Sequence, residues 1–388
     1  MEVTSNNSAH LKITIIQGAF FPVPPILGGA VEKRWFHMGK QFAAMGHEVL
    51  HLSRQHPSLP EEEVIDGVRH RRVRGYQQPR SLLWLKALDI LYSYRVWRQV
   101  PTDSDVVVTN TFASPLLLSG ALKNRAYVDV ARMPRGQCRW YRQAGRLRAN
   151  STPVAQAILA EVSQASKHRI SLIPNPLPFD PPERVNFGEK QNRVLYCGRI
   201  HPEKGLELLM QAVRKLPTDW SVDVVGPWEV SQGGGGLAYL EFLKENARGS
   251  AVTFRDPVYD TNGLADYYRK AAIFVYPSIA QQGETFGLAP LEAMAWGCAP
   301  VVSDLACFRD YITHHANGLV FDHRPADAAQ RLGEMLLELC QNHRLRHSLA
   351  TQASRVGESH HPRSIAKAFL ADFEAMILGQ PSAFCSSF

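Results

Sequence analysis

The sequence predicts an α/β protein built as two doubly wound, Rossmann-like domains, and three observations carry that expectation. Short apolar runs alternate with segments of helical periodicity in two successive series. Each series opens on a strand, a glycine-bearing loop and a helix. Between the series lies the proline-dense stretch Asn175-Pro176-Leu177-Pro178-Phe179-Asp180-Pro181-Pro182, followed by polar residues to Asn192. At 388 residues the chain has the length of two domains.

In chain order, Leu11–Ile16 reads as the opening strand and Gln17–Gly29 as a loop rich in Gly and Pro. Residues 30–42 have helical spacing, and 46–52 form the next strand. Residues 81–100 make an apolar, aromatic helix with Trp84, Tyr92, Tyr94 and Trp97 among Arg80, Lys86, Arg95 and Arg98. Its single acid is Asp89. That composition suits a helix at a membrane interface or an acceptor groove as well as a core helix. Further strands are expected at 106–109, 126–130, 147–149 and 170–173. The first domain is thus 1–180, and 181–192 serves as a linker. The second domain, 193–363, has strands at 194–197, 221–225, 251–254, 273–276, 299–302 and 319–321, and a final apolar helix covers 364–380.

Composition narrows the class. Apolar residues make up 45% and charged residues 20%, enough for two packed cores. Six cysteines without CxxC spacing read as reduced thiols rather than a disulfide frame or zinc site. The polar start and the lack of a long apolar run predict a cytoplasmic protein, with peripheral attachment to the inner membrane face left open. Residues 1–180 carry 23 Lys+Arg against 13 Asp+Glu, and the rest 20 against 23. The first half therefore suits an anionic partner, although solvation alone accounts for the total charge. Its arginines form no nucleic-acid reading motif.

The most informative stretch runs from Gln282 to Ser303. Glu284 stands in a loop at the carboxyl end of strand 273–276, and Glu292 follows eight positions later on the helix the loop opens. The amides of Phe286, Gly287 and Leu288 begin that helix and can take phosphate oxygens. Two carboxylates there repel phosphate and bind hydroxyls instead, such as those of a sugar and a ribose. The combination points to a nucleotide-sugar. A second signal, Gly198-Arg199-Ile200-His201-Pro202-Glu203-Lys204-Gly205, follows the second domain's first strand. Arg199 and Lys204 can straddle a diphosphate and offset its growing charge as the sugar departs.

Together these segments resemble the E-x7-E and G-R-x-x-x-x-K-G signatures of the family 4 retaining glycosyltransferases, which have the GT-B fold. The resemblance implies two Rossmann-like domains facing across a cleft, with the final helix crossing back onto the first. It implies transfer of a sugar from an NDP-sugar to an acceptor hydroxyl with retained configuration, in glycan, glycolipid or glycosylated-metabolite synthesis. No cofactor or metal is called for. UDP-sugar is the first donor candidate, with GDP- and ADP-sugars behind it.

The implied catalytic residues are Glu284, Arg199, Lys204 and Arg132. Donor contacts fall on Gly29, Val258, Thr285, Phe286, Gly287, Leu288 and Glu292 besides Arg199, Lys204 and Glu284. Acceptor contacts fall on Gly28, Arg132, Arg135 and Gln137, with a hydroxyl acceptor that is anionic or lipid-linked. The family's usual His after the middle strand is replaced here by Ala131. The basic run Arg132, Arg135, Arg139, Arg142, Arg146 and Arg148 suits an anionic acceptor or a solvated face. A GT-B epimerase and a nucleotide-sugar-binding subunit without activity are the alternatives.

Overall fold

The structure is a computed structural model that describes residues 10–384 except 80 and 259, and only the backbone of 261 and 262. The expectations for residues 1–9, Arg80 and Cys385 lie outside the described residues. Two compact units divide the chain. One runs to Pro178 and resumes at Pro362; the other is Phe179–His361.

The first unit contains strands β1 (Lys12–Ile16), β2 (Glu48–Arg54), β3 (Glu62–Ile65), β4 (Val68–Val73), β5 (Val106–Thr109), β6 (Ala126–Val130), β7 (Arg146–Ala149) and β8 (Ile170–Leu172). They form one sheet in the order β3-β4-β2-β1-β5-β6-β7-β8, parallel except for β3 against β4. Helices α1 (Ala30–Ala44), α2 (Leu82–Trp97), α3 (Ser114–Leu117) and α4 (Thr152–Glu161) complete the crossovers. The β3–β4 hairpin is absent from the sequence reading because its strand Val-Arg-His-Arg-Arg-Val looks solvated. In fact His70 and Arg72 are buried. The Asp66-Gly67 turn, with both residues at positive φ, is the signal that could have revealed it.

Strand β7, Arg-Leu-Arg-Ala, corrects the basic-face expectation. Arg146 and Arg148 are both buried on one face of the sheet. Arg148 donates to Asp129 Oδ1 at 2.7 Å and to Asn175 Oδ1 at 2.9 Å. Arg34 of α1 binds the same Asp129 and donates to Asn175 Oδ1 at 2.6 Å, and Trp35 Nε1 donates to Asp129 Oδ2 at 2.8 Å. Burying two guanidiniums is tolerable because the carboxylate between them is paired with both. Arg146 donates to Asp372 Oδ1 at 3.0 Å, and the Tyr127 hydroxyl donates to Asp372 Oδ2 at 2.8 Å. Only Arg132, Arg135, Arg139 and Arg142 of the basic run remain at the surface.

The second unit's strands are β9 (Gln191–Cys197), β10 (Ser221–Val225), β11 (Val252–Arg255), β12 (Ala271–Tyr276), β13 (Ala299–Ser303) and β14 (Leu319–Phe321). Their order, β11-β10-β9-β12-β13-β14, is fully parallel. Its helices are α5 (Leu206–Ala212), α6 (Leu237–Asn246), α7 (Thr261–Lys270), α8 (Leu288–Ala295), α9 (Ala328–Gln341), α10 (His343–Ser354) and α11 (Val356–Ser359). Residues 181–192 are not a free linker. A methyl at Gly297 would stand 2.4 Å from Val185 and 3.1 Å from Phe187, and the Phe179 and Trp296 rings lie 5.7 Å apart. Apolar side chains inside the polar-looking stretch bind it to this unit, and β9 begins at Gln191.

Helix α12 (Pro362–Ile377) belongs to the first unit. Its Phe369 ring lies 5.1 Å from Trp35, and Phe373 lies 4.7 Å from Tyr127 and 5.7 Å from Phe42. Each such ring contributes about 1.5–3 kcal/mol by leaving water.

Candidate functional site

Strands β9 and β12 are neighbours, but their crossovers lead to opposite edges of the sheet, to β10 and β13. The carboxyl ends of such a pair form the switch point where open parallel sheets hold ligands. Both sequence signals arrive there. After β9 the chain turns through Arg199 and a short helical turn, Pro202–Lys204, into α5. After β12 it runs through Glu284 to Gly287, the N-cap of α8.

The two loops pack on each other. The Ile279 amide donates to Glu203 O at 2.9 Å, and a methyl on Gly205 would come within 2.1 Å of Pro277 O. Gly205 also has φ +66°, so glycine is needed there for both reasons. The sharp turn lets Lys204 reach across, and its Nζ donates to Glu284 Oε2 at 2.8 Å with both side chains nearly buried. The Tyr276 hydroxyl donates to the same oxygen at 3.1 Å, and Lys204 Nζ stands 5.5 Å from the Tyr276 ring centroid. Burial, followed by the Glu284 charge, pushes the Tyr276 phenol far up, so it stays a donor.

Arg199 is half exposed and leans the other way. It donates to Glu203 Oε1 at 2.6 Å and to Gly233 O at 2.8 Å in the Gly-rich segment 233–236. Lys204 lies 3.9 Å from Glu203 as well. Glu203 therefore faces both of the cations expected to meet phosphate, a contact the sequence reading missed.

At the start of α8, the backbone of Phe286 and Gly287 is held from the carbonyl side. The Tyr311 hydroxyl donates to Phe286 O at 3.1 Å and to Gly287 O at 2.7 Å, and Phe286 is buried. Among the described residues none accepts a hydrogen bond from the amides of Phe286, Gly287 or Leu288. Unused donors at a helix N-terminus, with the dipole behind them, favour an anion. Thr285 is half-buried beside them. One turn on, Glu292 is half-buried and accepts from the Tyr268 hydroxyl at 3.1 Å. Val258 lies half-buried in the loop beyond β11, and no contact recorded for it reaches these groups.

The first unit holds the other candidates. Gly29 caps α1 at φ +98°, and a methyl there would strike Glu32 Oε2 at 2.3 Å. Burial pushes the Glu32 carboxyl up, while the charges of Arg34 and the exposed Arg132 hold it back. Gly29, Glu32 and Arg132 thus share one place, and Gly28 precedes them in the exposed loop. Arg135 is exposed, and its amide donates to Gln137 Oε1 at 2.6 Å, so Gln137 closes its own turn. Ala131 carries no group that could replace an imidazole. The Asp103–Asp105 turn precedes β5, and Asp105 accepts from the Lys12 amide at 2.8 Å at the opposite end of the sheet. Among the described residues no three His, Cys, Asp or Glu side chains are grouped to hold a metal.

Residues 181–356 match the model of the family described as glycosyl transferases group 1. A D-inositol 3-phosphate glycosyltransferase of Nocardiopsis dassonvillei is 30% identical over 66% of this chain and 65% of its own length. The chain thus spans less than two thirds of that relative. An uncharacterized glycosyltransferase of Methanocaldococcus jannaschii is 25% identical over 84% of this chain and 89% of that one. Among solved structures, a sucrose-phosphate synthase of Thermosynechococcus elongatus superposes with a TM-score of 0.76 at 19% identity, covering 95% of this chain and 99% of that one. An Anabaena protein solved with UDP and glucose gives 0.70 at 15% identity, covering 94% and 100%. At such identities the likeness shows the fold, two Rossmann-like domains of the GT-B architecture.

Proposed function

We propose that this chain, which belongs through residues 181–356 to the glycosyl transferases group 1, moves a sugar from a nucleoside diphosphate sugar to an acceptor hydroxyl with retained anomeric configuration. The observation that carries this reading is the arrangement of Lys204, Glu284 and the unused amides of 286–288 at one switch point. Cation and amides suit a diphosphate, and the carboxylate, held by Tyr276, suits sugar hydroxyls. UDP is the first nucleotide to test, because a solved neighbour was captured with UDP and glucose.

In this scheme Arg199 and Lys204 offset the charge that grows on the leaving diphosphate. The bond from the sugar's anomeric carbon to phosphate oxygen breaks, and the bond to the acceptor oxygen forms on the same face. The acceptor's proton passes to the departing phosphate oxygen, so no protein base is required. Glu284 orients the donor sugar, and Glu292 takes the ribose hydroxyls. The scheme calls for no metal, the charge being met by side chains and helix amides. For the acceptor, the surface arginines 132, 135, 139 and 142 suit an anionic group. The name of the Nocardiopsis relative, a D-inositol 3-phosphate glycosyltransferase, contains such an anionic group.

A thermal-shift screen against UDP, GDP, ADP and their sugars identifies the donor, since a bound nucleotide raises the midpoint. Glu284→Ala should then lower turnover by roughly two to four orders of magnitude while donor binding persists. Near wild-type turnover in that variant would remove Glu284 from the reaction. Donor binding with neither transfer nor slow donor hydrolysis would reduce the chain to a nucleotide-sugar-binding subunit.

A further inference from the structure

Helix α2 is apolar on two sides, but it packs on only one of them. Asp89, Tyr92, Ser93 and Val96 face the core, where Asp89 accepts from the Ala113 amide at 3.0 Å. The opposite side is open: Leu83 is 80% exposed, Trp84 65% and Tyr94 51%, with Ile90 and Leu91 between them. At 100° per residue these five share one face. A neighbouring turn adds Trp140, 63% exposed, and it is joined to α2 through Phe112. Lys86 Nζ stands 5.6 Å from the Phe112 ring, and the Tyr141 hydroxyl donates to Phe112 O at 3.1 Å.

A contiguous exposed patch of this kind marks a surface that meets something. Its charges indicate what. The cations Lys86, Arg98, Arg139 and Arg142 are exposed around it, while the helix's one acid is turned inward. Protein interfaces exclude lysine from their cores, whereas a lipid surface takes Lys and Arg readily, the chain lying along acyl carbons and the charge among phosphates. Trp and Tyr prefer the same boundary. Among the described residues no helix is long and apolar enough to cross a membrane.

We propose that the outward face of α2, flanked by Trp140, seats the first unit on an anionic bilayer. Leu83, Trp84 and Tyr94 enter the headgroup boundary, and Lys86 and Arg98 meet lipid phosphates. The proposed transfer reaction gains from this a route to lipid-linked acceptors, but the surface does not depend on it. The test contains neither donor nor acceptor, so its failure leaves the transfer reading standing.

The full chain is floated with phosphatidylcholine vesicles with and without phosphatidylglycerol. It should rise with the anionic vesicles and stay behind with the neutral ones. Leu83→Ser with Trp84→Ser should cut the partition coefficient about tenfold or more, through lost apolar burial. Lys86→Gln with Arg98→Gln should cut it about twenty-five-fold, at about fivefold per cation. Salt at about 1 M, where screening reaches about 3 Å, should reproduce the second loss. Far-UV circular dichroism establishes that the variants are folded. No flotation of the wild type, or equal flotation of the variants, overturns the proposal. A dimer in sedimentation velocity that the Leu83/Trp84 variant abolishes, without vesicle binding, overturns it too and assigns the face to a second copy.

Discussion

The two ends of the Lys204–Glu284 pair should respond unequally to removal. Among the described residues, Lys204→Met leaves the Glu284 carboxylate with only the Tyr276 hydroxyl at 3.1 Å. Glu284→Gln leaves Lys204 with Glu203 at 3.9 Å, beside the Tyr276 ring. At an effective dielectric constant near 20, attraction is about 6 kcal/mol at 2.8 Å and about 4 kcal/mol at 3.9 Å. Desolvation offsets most of either value, so the contrast between the variants is the usable quantity. An almost buried carboxylate without its cation costs about 3–4 kcal/mol, whereas a lysine with a second carboxylate in reach costs about 1–2 kcal/mol. For a domain of this size that is a drop of roughly 10 °C for Lys204→Met and roughly 4 °C for Glu284→Gln. Scanning calorimetry measures both, with hydrogen exchange at β9 and β12 identifying the second unit's transition. The double variant should cost less than the sum. Equal drops, or a larger one for Glu284→Gln, would refute the account of Glu203 as reserve partner.

Glu203→Gln should tighten UDP binding several-fold by removing the carboxylate that competes for Arg199 and Lys204; calorimetric titration reads it. Arg199→Ala should weaken UDP far more than uridine while barely changing stability, because its ion pair is exposed. Gly287→Ala should destabilise by roughly 2–4 kcal/mol in urea, since φ is +79° and the new methyl would lie 2.4 Å from Phe308. His51 and His70, stacked at 5.2 Å, are both held neutral chiefly by burial, with His70 lowered to about 4. Their folded pKa values lie below the ordinary 6.5, so their contribution is intact above that pH and is lost as the pH falls towards about 4. Replacing both with leucine should flatten that acid loss in thermal melts.

The second unit's two signal loops were legible in the sequence because each signal is local. Glu284, the helix start and the Arg199–Lys204 loop each lie within a short window around a strand end, where the spacing of side chains follows from backbone geometry. What it hid depends on contacts distant in sequence. Nothing in Arg146-Leu147-Arg148 marks the arginines as buried, since the partners that neutralise them, Asp372 and Asp129, lie 226 and 19 positions away. Lys204 and Glu284, read as separate ligand contacts, are 80 positions apart and bind each other. Residues 181–192 looked like a linker because polar residues outnumber Val185 and Phe187, although those two side chains are packed. The Asp66-Gly67 pair is a local turn signal, but the charged strand after it masks the hairpin.

The placement of α12 has a consequence for biosynthesis. The chain enters the second unit at Phe179 and leaves it at His361, so that unit is a guest inserted into a host. A ribosome releases all of the guest before it delivers the host's closing helix. Until Phe369 and Phe373 arrive, Trp35, Phe42 and Tyr127 lack their ring partners, and Arg146 lacks Asp372. The domain made first is therefore the domain finished last. A nascent chain stalled anywhere between 180 and 360 would carry an open aromatic face, the kind of surface that chaperones hold.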